Sequence, residues 1–184
     1  MKNKKIFSII LSFFIINFIN INLYAEEFKF EASQIETLEE GNIIKASSGA
    51  KIFGKNITIT SNQFVYDKQK SIAIISGNVI IEDFYNNITI NSEKVEYFRN
   101  LDKFISNGYT TINYKNNFYL ETLNIIYNKK INKISSKTKT KISDSFDNTY
   151  QTNNLEFFIN EKTIRAKNLF FKDKEVNKIY IKDS

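Results

Sequence analysis

The chain of 184 residues contains no proline, no cysteine and no histidine, no tryptophan, and five glycines. Each absence narrows the chemistry. Without Cys and His there is no structural zinc site, no thiolate nucleophile, no disulfide, and no Ser-His or Cys-His catalytic pair. An enzyme built from this chain would have to work with carboxylates, lysine, tyrosine or hydroxyls alone. The carboxylate pairs available are Glu26-Glu27, Glu39-Glu40 and Glu82-Asp83. Neighbours on a strand point to opposite faces, so none is a good general acid/base pair. They read as solvated edge or turn acids, and a non-enzyme with no cofactor and no metal is the expectation.

The formal net charge of +6 is modest and spread out. The densest basic run is Lys129, Lys130, Lys133, Lys137, Lys139 and Lys141. It contains no Arg, and its alternating part fits the wet face of a strand. Nucleic-acid binding needs clustered Lys and Arg on one face, so no nucleic-acid partner is expected.

The first 25 residues stand apart. Lys2, Lys4 and Lys5 precede an apolar run from Ile6 to Phe18, then Leu23-Tyr24-Ala25 and the acidic pair Glu26-Glu27. This is the pattern of a secretory signal peptide cut after Ala25. The alternative is an uncleaved anchor, but the run is short of the roughly 20 residues of a membrane span. Cleavage would remove three lysines and no acid, lowering the charge from +6 to +3. The domain division expected is therefore 1–25 signal and 26–184 a single repeat domain.

What the chain does have is aromatic side chains, 17 Phe and 10 Tyr, and an internal repeat. Segments starting at Phe28, Ile57, Ile88, Phe118 and Tyr150 read FKFEASQI, ITITSNQF, ITINSEKV, FYLETLNI and YQTNNLEF, with starts 29, 31, 30 and 32 residues apart. Seven places into each copy stands Ile35, Phe64, Val95, Ile125 or Phe157. Two places further stand Tyr66, Tyr97 and Tyr127 in the middle copies, with Thr37 and Ile159 in the outer ones. In the fifth copy Thr152 falls where an apolar residue is expected. The second half of the unit carries Gly49, Gly77 and Gly108 at one repeated place, and the fourth copy has Ser135-Ser136-Lys137 instead. Glycine recurring at one repeat position predicts a bulge or a corner.

Within each unit the apolar period is two, as in half-buried strands. Polar segments separate the strands: Asp67–Lys70, Asn86-Asn87, Arg99–Asp102, Asn116-Asn117, Asn128–Lys130 and Asp147-Asn148. Asn and Asp tolerate left-handed turn conformations and can replace the missing Gly and Pro. The expectation is an all-β array of two-strand units of about 30 residues, each layer touching only its neighbours. Its inner faces would make an apolar channel or a dry core. Ile59, Phe64, Tyr66, Ile90, Val95, Tyr97, Leu120, Ile125 and Tyr127 are placed on those faces. The stretch from Asn177, with Ile179 and Ile181, is either a terminal pairing strand or the front of something longer.

The unit from Ile59 to Ile81 and its copy from Ile90 to Ile112 resemble the OstA-like repeat of periplasmic lipopolysaccharide-transport proteins. Tyr66-Asp67 and Gly77-Asn78-Val79 carry the likeness best; Tyr97 and Gly108 match it in part, with Phe98 and Tyr109 in place of polar residues. The resemblance spans about residues 28–175. It implies a β-jellyroll (β-taco) fold, secretion to the periplasm and possible association with the outer membrane. It also implies an apolar interior that holds lipid A acyl chains, and head-to-tail pairing with other OstA-like domains. Within the family the choice lies between a free bridge between the membranes and the amino-terminal domain of the outer-membrane assembly protein. Outside it, the competing class is a structural β-solenoid without lipid ligand.

Overall fold

The computed structural model describes residues 29–173 and 178–181. The expected signal sequence and cleavage site, Glu26-Glu27 and Phe28 lie outside the described residues. Short strands β1 (Lys29–Glu31) and β2 (Gln34–Leu38) lead into five long ones: β3 (Ile43–Gly54), β4 (Ile57–Asp67), β5 (Ile72–Asp83), β6 (Ile88–Phe98) and β7 (Lys103–Tyr114). Shorter pieces follow: β8 (Phe118–Leu123), β9 (Ile126–Asn128), β10 (Lys133–Ser136), β11 (Thr140–Asp144) and β12 (Thr149–Thr152). The chain closes with β13 (Asn154–Phe158), β14 (Thr163–Lys167), β15 (Leu169–Lys172) and β16 (Lys178–Ile181). All pairings are antiparallel, and all the strands belong to one sheet.

The sheet is creased along its length. Each long strand pairs with its neighbour in two stretches separated by a register shift. The shifts fall between Ser47 and Ala50, Thr60 and Gln63, Ser76 and Val79, and Ser92 and Lys94. One half-sheet runs β1-β3-β4-β5-β6-β7-β8-β11-β12-β15-β16, and the other β2-β3-β4-β5-β6-β7-β9-β10-β13-β14. The inner residues of both halves form one buried cluster, so the halves fold toward each other over a shared apolar interior. Each inner Ile or Phe removed from water contributes about 1.5–3 kcal/mol.

The glycines stand at the crease, as the repeat implied. Gly49, Gly77 and Gly108 have φ of +89°, +76° and +99°, values that L-residues adopt with strain. Where the fourth copy lacks glycine, the strand does not bend but breaks, β10 ending at Ser136 and β11 starting at Thr140. Turns also follow expectation at Asn87, Asp102, Asn116 and Asp147, which all take positive φ, and Asn56 and Asn132 do the same outside the expected segments. Ser71, Lys115 and Lys162 do the same without a sequence signal.

A row of buried hydroxyls lines the inside of the crease: Ser61, Ser92, Ser106, Thr110, Thr122, Ser136, Thr140 and Thr152. Ladder bonds are interrupted at a bend, and backbone groups left there need other partners. Ser61 Oγ donates to the Gln63 carbonyl at 3.0 Å, Ser106 Oγ accepts from the Ile125 amide at 2.8 Å, and Thr152 Oγ1 donates to the Lys167 carbonyl at 2.6 Å. Thr122 shares hydroxyl contacts of 2.9 Å with both Ser136 and Thr140.

This row corrects the alignment of the fifth copy. Thr152 is not an apolar place gone polar. It takes the crease position of Ser61, Ser92 and Thr122, and Leu155, 1% exposed, takes the place of Phe64. The fifth unit is thus in register two residues earlier than the apolar match suggested, because the hydroxyl at the bend, not the flanking apolar pair, marks the repeat. At the carboxyl end, residues 178–181 pair with β15.

Candidate functional site

The turns at the far ends of the two half-sheets make two lips that face each other across the interior. All nine residues expected on the inner faces lie on that side of the sheet. Ile59, Phe64, Ile90, Val95, Tyr97, Leu120, Ile125 and Tyr127 are buried, and Tyr66 is half-buried against the same cluster. The structure divides them, however. Ile59, Phe64, Tyr66 and Tyr97 border a cavity and Ile125 borders a separate cleft, whereas Ile90, Val95, Leu120 and Tyr127 sit in packed core.

The cavity lies near the first strands, between the half-sheets. It has a volume of about 420 Å³, within the roughly 300–1,000 Å³ common for small-molecule sites. Its apolar walls come from Phe30, Ile44, Ile52, Ile59, Phe64 and Ala73, and its outer rim from Tyr66, Lys68, Ser71, Tyr97 and Arg99. Phe64 stacks on Tyr66 with ring centroids 6.2 Å apart and meets Phe30 at 6.1 Å. The Arg99 guanidinium donates to the Tyr66 hydroxyl at 3.2 Å. The sequence offered the apolar wall but not Lys68 or Arg99, which read as turn residues until the turns were placed beside the cavity.

Further along, side chains fill the interior. Tyr97, Phe104 and Tyr127 stack along one half-sheet, with centroid separations of 4.3 and 6.1 Å. Contacts also cross from half to half. Tyr114 meets Phe157 edge-on at 4.9 Å. Tyr127 donates its hydroxyl to Asp83 Oδ2 at 2.5 Å. Asp83 also accepts from the Tyr85 and Asn86 amides at 3.0 and 3.1 Å and from Asn86 Nδ2 at 3.1 Å. Asn86 Nδ2 reaches Asn132 Oδ1 on the opposite lip at 3.0 Å.

Asp83 is therefore a correction. It is not a solvated strand-end acid but 1% exposed, and it forms the centre of a clasp between the lips. Its partner Tyr127 is pushed well above the ordinary phenol range, by burial first and then by the adjacent Asp83 carboxylate. The repeat had marked Tyr66, Tyr97 and Tyr127 as one family of positions. Their hydroxyls meet three different partners: Arg99, Asp102 at 3.1 Å, and Asp83. The cavity is at the Tyr66 end of this series and the clasp at the Tyr127 end.

Of the other two acid pairs, Glu26-Glu27 lies outside the described residues and Glu39-Glu40 behaves as expected. Glu39 and Glu40 are exposed in a turn. Lys133 and Lys141 pair with Glu156 and Glu121 at 2.8 and 3.0 Å on the outer surface. Among the described residues no group of three or more acids is arranged to hold a metal ion, and no helix is long and apolar enough to cross a membrane.

A creased antiparallel sheet folded over an apolar interior is a β-jellyroll built from stacked two-strand units. The sequence model of the LptA/(LptD N-terminal domain) LPS transport protein family matches residues 58–176, more than half of the chain, and the chain belongs to that family. Its members are lipid-transport proteins rather than enzymes. No curated protein matches the sequence. Several solved structures overlap it, two of them as follows. One is LptH of Pseudomonas aeruginosa, the LptA homologous periplasmic component of the lipopolysaccharide transport device. The identity is 9%, the overlap covers 86% of this chain and 96% of that one, and the TM-score is 0.31. The other is the TCP10 domain of Danio rerio CPAP in complex with a STIL peptide, at 10% identity, 85% and 100% coverage and a TM-score of 0.16. The fold is defined by the strand pairing and the family by the sequence match.

Proposed function

We propose that this protein carries lipopolysaccharide across the periplasm, sheltering acyl chains between its half-sheets while the sugars stay in water. The observation that supports this most is the apolar cavity walled by Phe30, Ile44, Ile52, Ile59 and Phe64, open at one rim beside the first strands. Each acyl methylene transferred into such a wall contributes about 0.8 kcal/mol, so affinity needs no catalytic group. The inner face is the binding surface: Ile59, Phe64, Tyr66 and Tyr97 receive the chain first. Ile90, Val95, Leu120, Ile125 and Tyr127 line the path beyond, which opens only if the clasp at Asp83 releases.

The open edges support bridging. Among the described residues β1 and β2 pair only with β3, β14 only with β13, and β16 only with β15. Unblocked edges recruit further strands. Copies of this domain, or related domains of the transport system, add head to tail and prolong the interior. The signal sequence delivers the chain to the periplasm, and the chain performs no catalysis.

The test is co-elution of purified protein with lipopolysaccharide on size exclusion, run beside the same lipopolysaccharide stripped of its acyl chains. Intact material co-elutes and deacylated material does not. Equal retention of both places recognition on the sugar and overturns the reading.

A further inference from the structure

The cavity rim carries two cations whose placement the acyl reading leaves unused. Lys68 and Arg99 both border the opening, on adjacent turns of one lip, beside the Tyr66 and Tyr97 hydroxyls and Ser71. The turns are tied together, Arg99 donating its amide to the Ser71 carbonyl at 3.0 Å. Lys68 is exposed. Asp67, the acid that precedes Lys68 in sequence, is engaged by Lys70 at 2.8 Å. Glu39 and Glu40 sit on the same lip but not on the cavity wall, and Asp102 accepts the Tyr97 hydroxyl. An apolar pit with a guanidinium and an ammonium at its opening is complementary to a chain with an anionic head.

Resting on the acyl-chain reading above, we infer that Lys68 and Arg99 form a phosphate subsite. A phosphate monoester on the headgroup of the bound amphiphile docks there while its acyl chain fills the cavity. Arg99 offers paired N–H donors in a plane suited to phosphate oxygens, and Lys68 a mobile point charge. Tyr66 holds the guanidinium toward the opening. The subsite would fix how deep a chain enters, because the head stops at the rim.

The experiment is titration calorimetry of the protein with two probes sharing one acyl chain, lysophosphatidic acid and the uncharged monoacylglycerol. Both are kept below their critical micelle concentrations in 0.15 M salt. The phosphate probe binds about tenfold tighter or more. Lys68→Gln alone, a change at an exposed site, reduces that preference, and Lys68→Gln with Arg99→Gln abolishes it. Arg99→Lys retains most of it, and Lys94→Gln on the outer surface leaves it unchanged. Equal binding of the two probes by the unaltered protein overturns the subsite and leaves the acyl reading standing. Binding of neither probe overturns both.

Discussion

Tyr127 and Asp83, 44 positions apart in sequence, are joined by a hydrogen bond of 2.5 Å between opposite lips of the creased sheet. Tyr127 is fully buried and Asp83 1% exposed. Each satisfies the other in a place where neither could be left alone. Removing the phenol oxygen by Tyr127→Phe leaves the carboxylate one donor short and costs about 1–3 kcal/mol. Asp83→Ala strips the acceptor from two backbone amides, Asn86 and Tyr127 together, and costs more than Tyr127→Phe, because each buried donor left unpaired costs about 1–3 kcal/mol. Urea titration with an unchanged slope measures both; a midpoint unmoved in Tyr127→Phe contradicts the clasp.

The same pair contributes to stability at alkaline pH. The folded-state phenol of Tyr127 titrates above its unfolded value, through burial and the neighbouring carboxylate. The stabilisation is therefore whole below about pH 10 and is lost as pH rises beyond it, because the unfolded chain then releases a proton that the folded chain keeps. Tyr150, raised by burial and by Asp144, acts in the same direction. Tyr127→Phe should flatten, but not remove, the decline in melting temperature between pH 9 and pH 11. An identical decline in the variant rules out this origin.

The crease makes a graded prediction. A Cβ at Gly77 would come within 2.7 Å of the Asn62 side chain, whereas at Gly108 nothing lies within 4 Å. Both positions carry the cost of a positive φ, about 1–2 kcal/mol for an L-residue. Gly77→Ala therefore destabilises more than Gly108→Ala. Thermal melts of the two variants decide it, and equal losses mean that Asn62 yields freely.

Association through the edges is tested at β2. Ile35 is 52% exposed on this terminal strand. Ile35→Lys places a charge where a second copy would stack, a device by which natural edges refuse partners. Light scattering should show concentration-dependent growth in the unaltered protein and at least tenfold weaker association in the variant. A monomer at all concentrations in the unaltered protein argues against head-to-tail bridging by this chain alone.

Much of this was legible in the residues. Period-two alternation at Ile57/Ile59 and Ile88/Ile90 marked strands, and the spacing of Gly49, Gly77 and Gly108 marked the crease. Both signals are local: side chains alternate because the backbone is pleated, and glycine recurs because one φ recurs. The long-range parts were not legible. Asp83 looked like any acid at a strand end, since only the folded sheet brings Tyr127 to it. Lys68 and Arg99 looked like turn residues for the same reason. The hydroxyl row was visible as Ser61, Ser92 and Thr122, yet its role appears only once the ladder is seen to break beside it, and overlooking it misplaced Thr152.

The central claim is that lipid occupies the space between the half-sheets. Phe64 faces that space at 5% exposure, while Ile74, on the neighbouring strand, points outward at 41%. A photo-crosslinking amino acid at each position, irradiated in cells that make lipopolysaccharide, compares inside with outside directly. Lipopolysaccharide adducts at position 64 and none at position 74 are the result predicted. Adducts at 74 without adducts at 64 would contradict it.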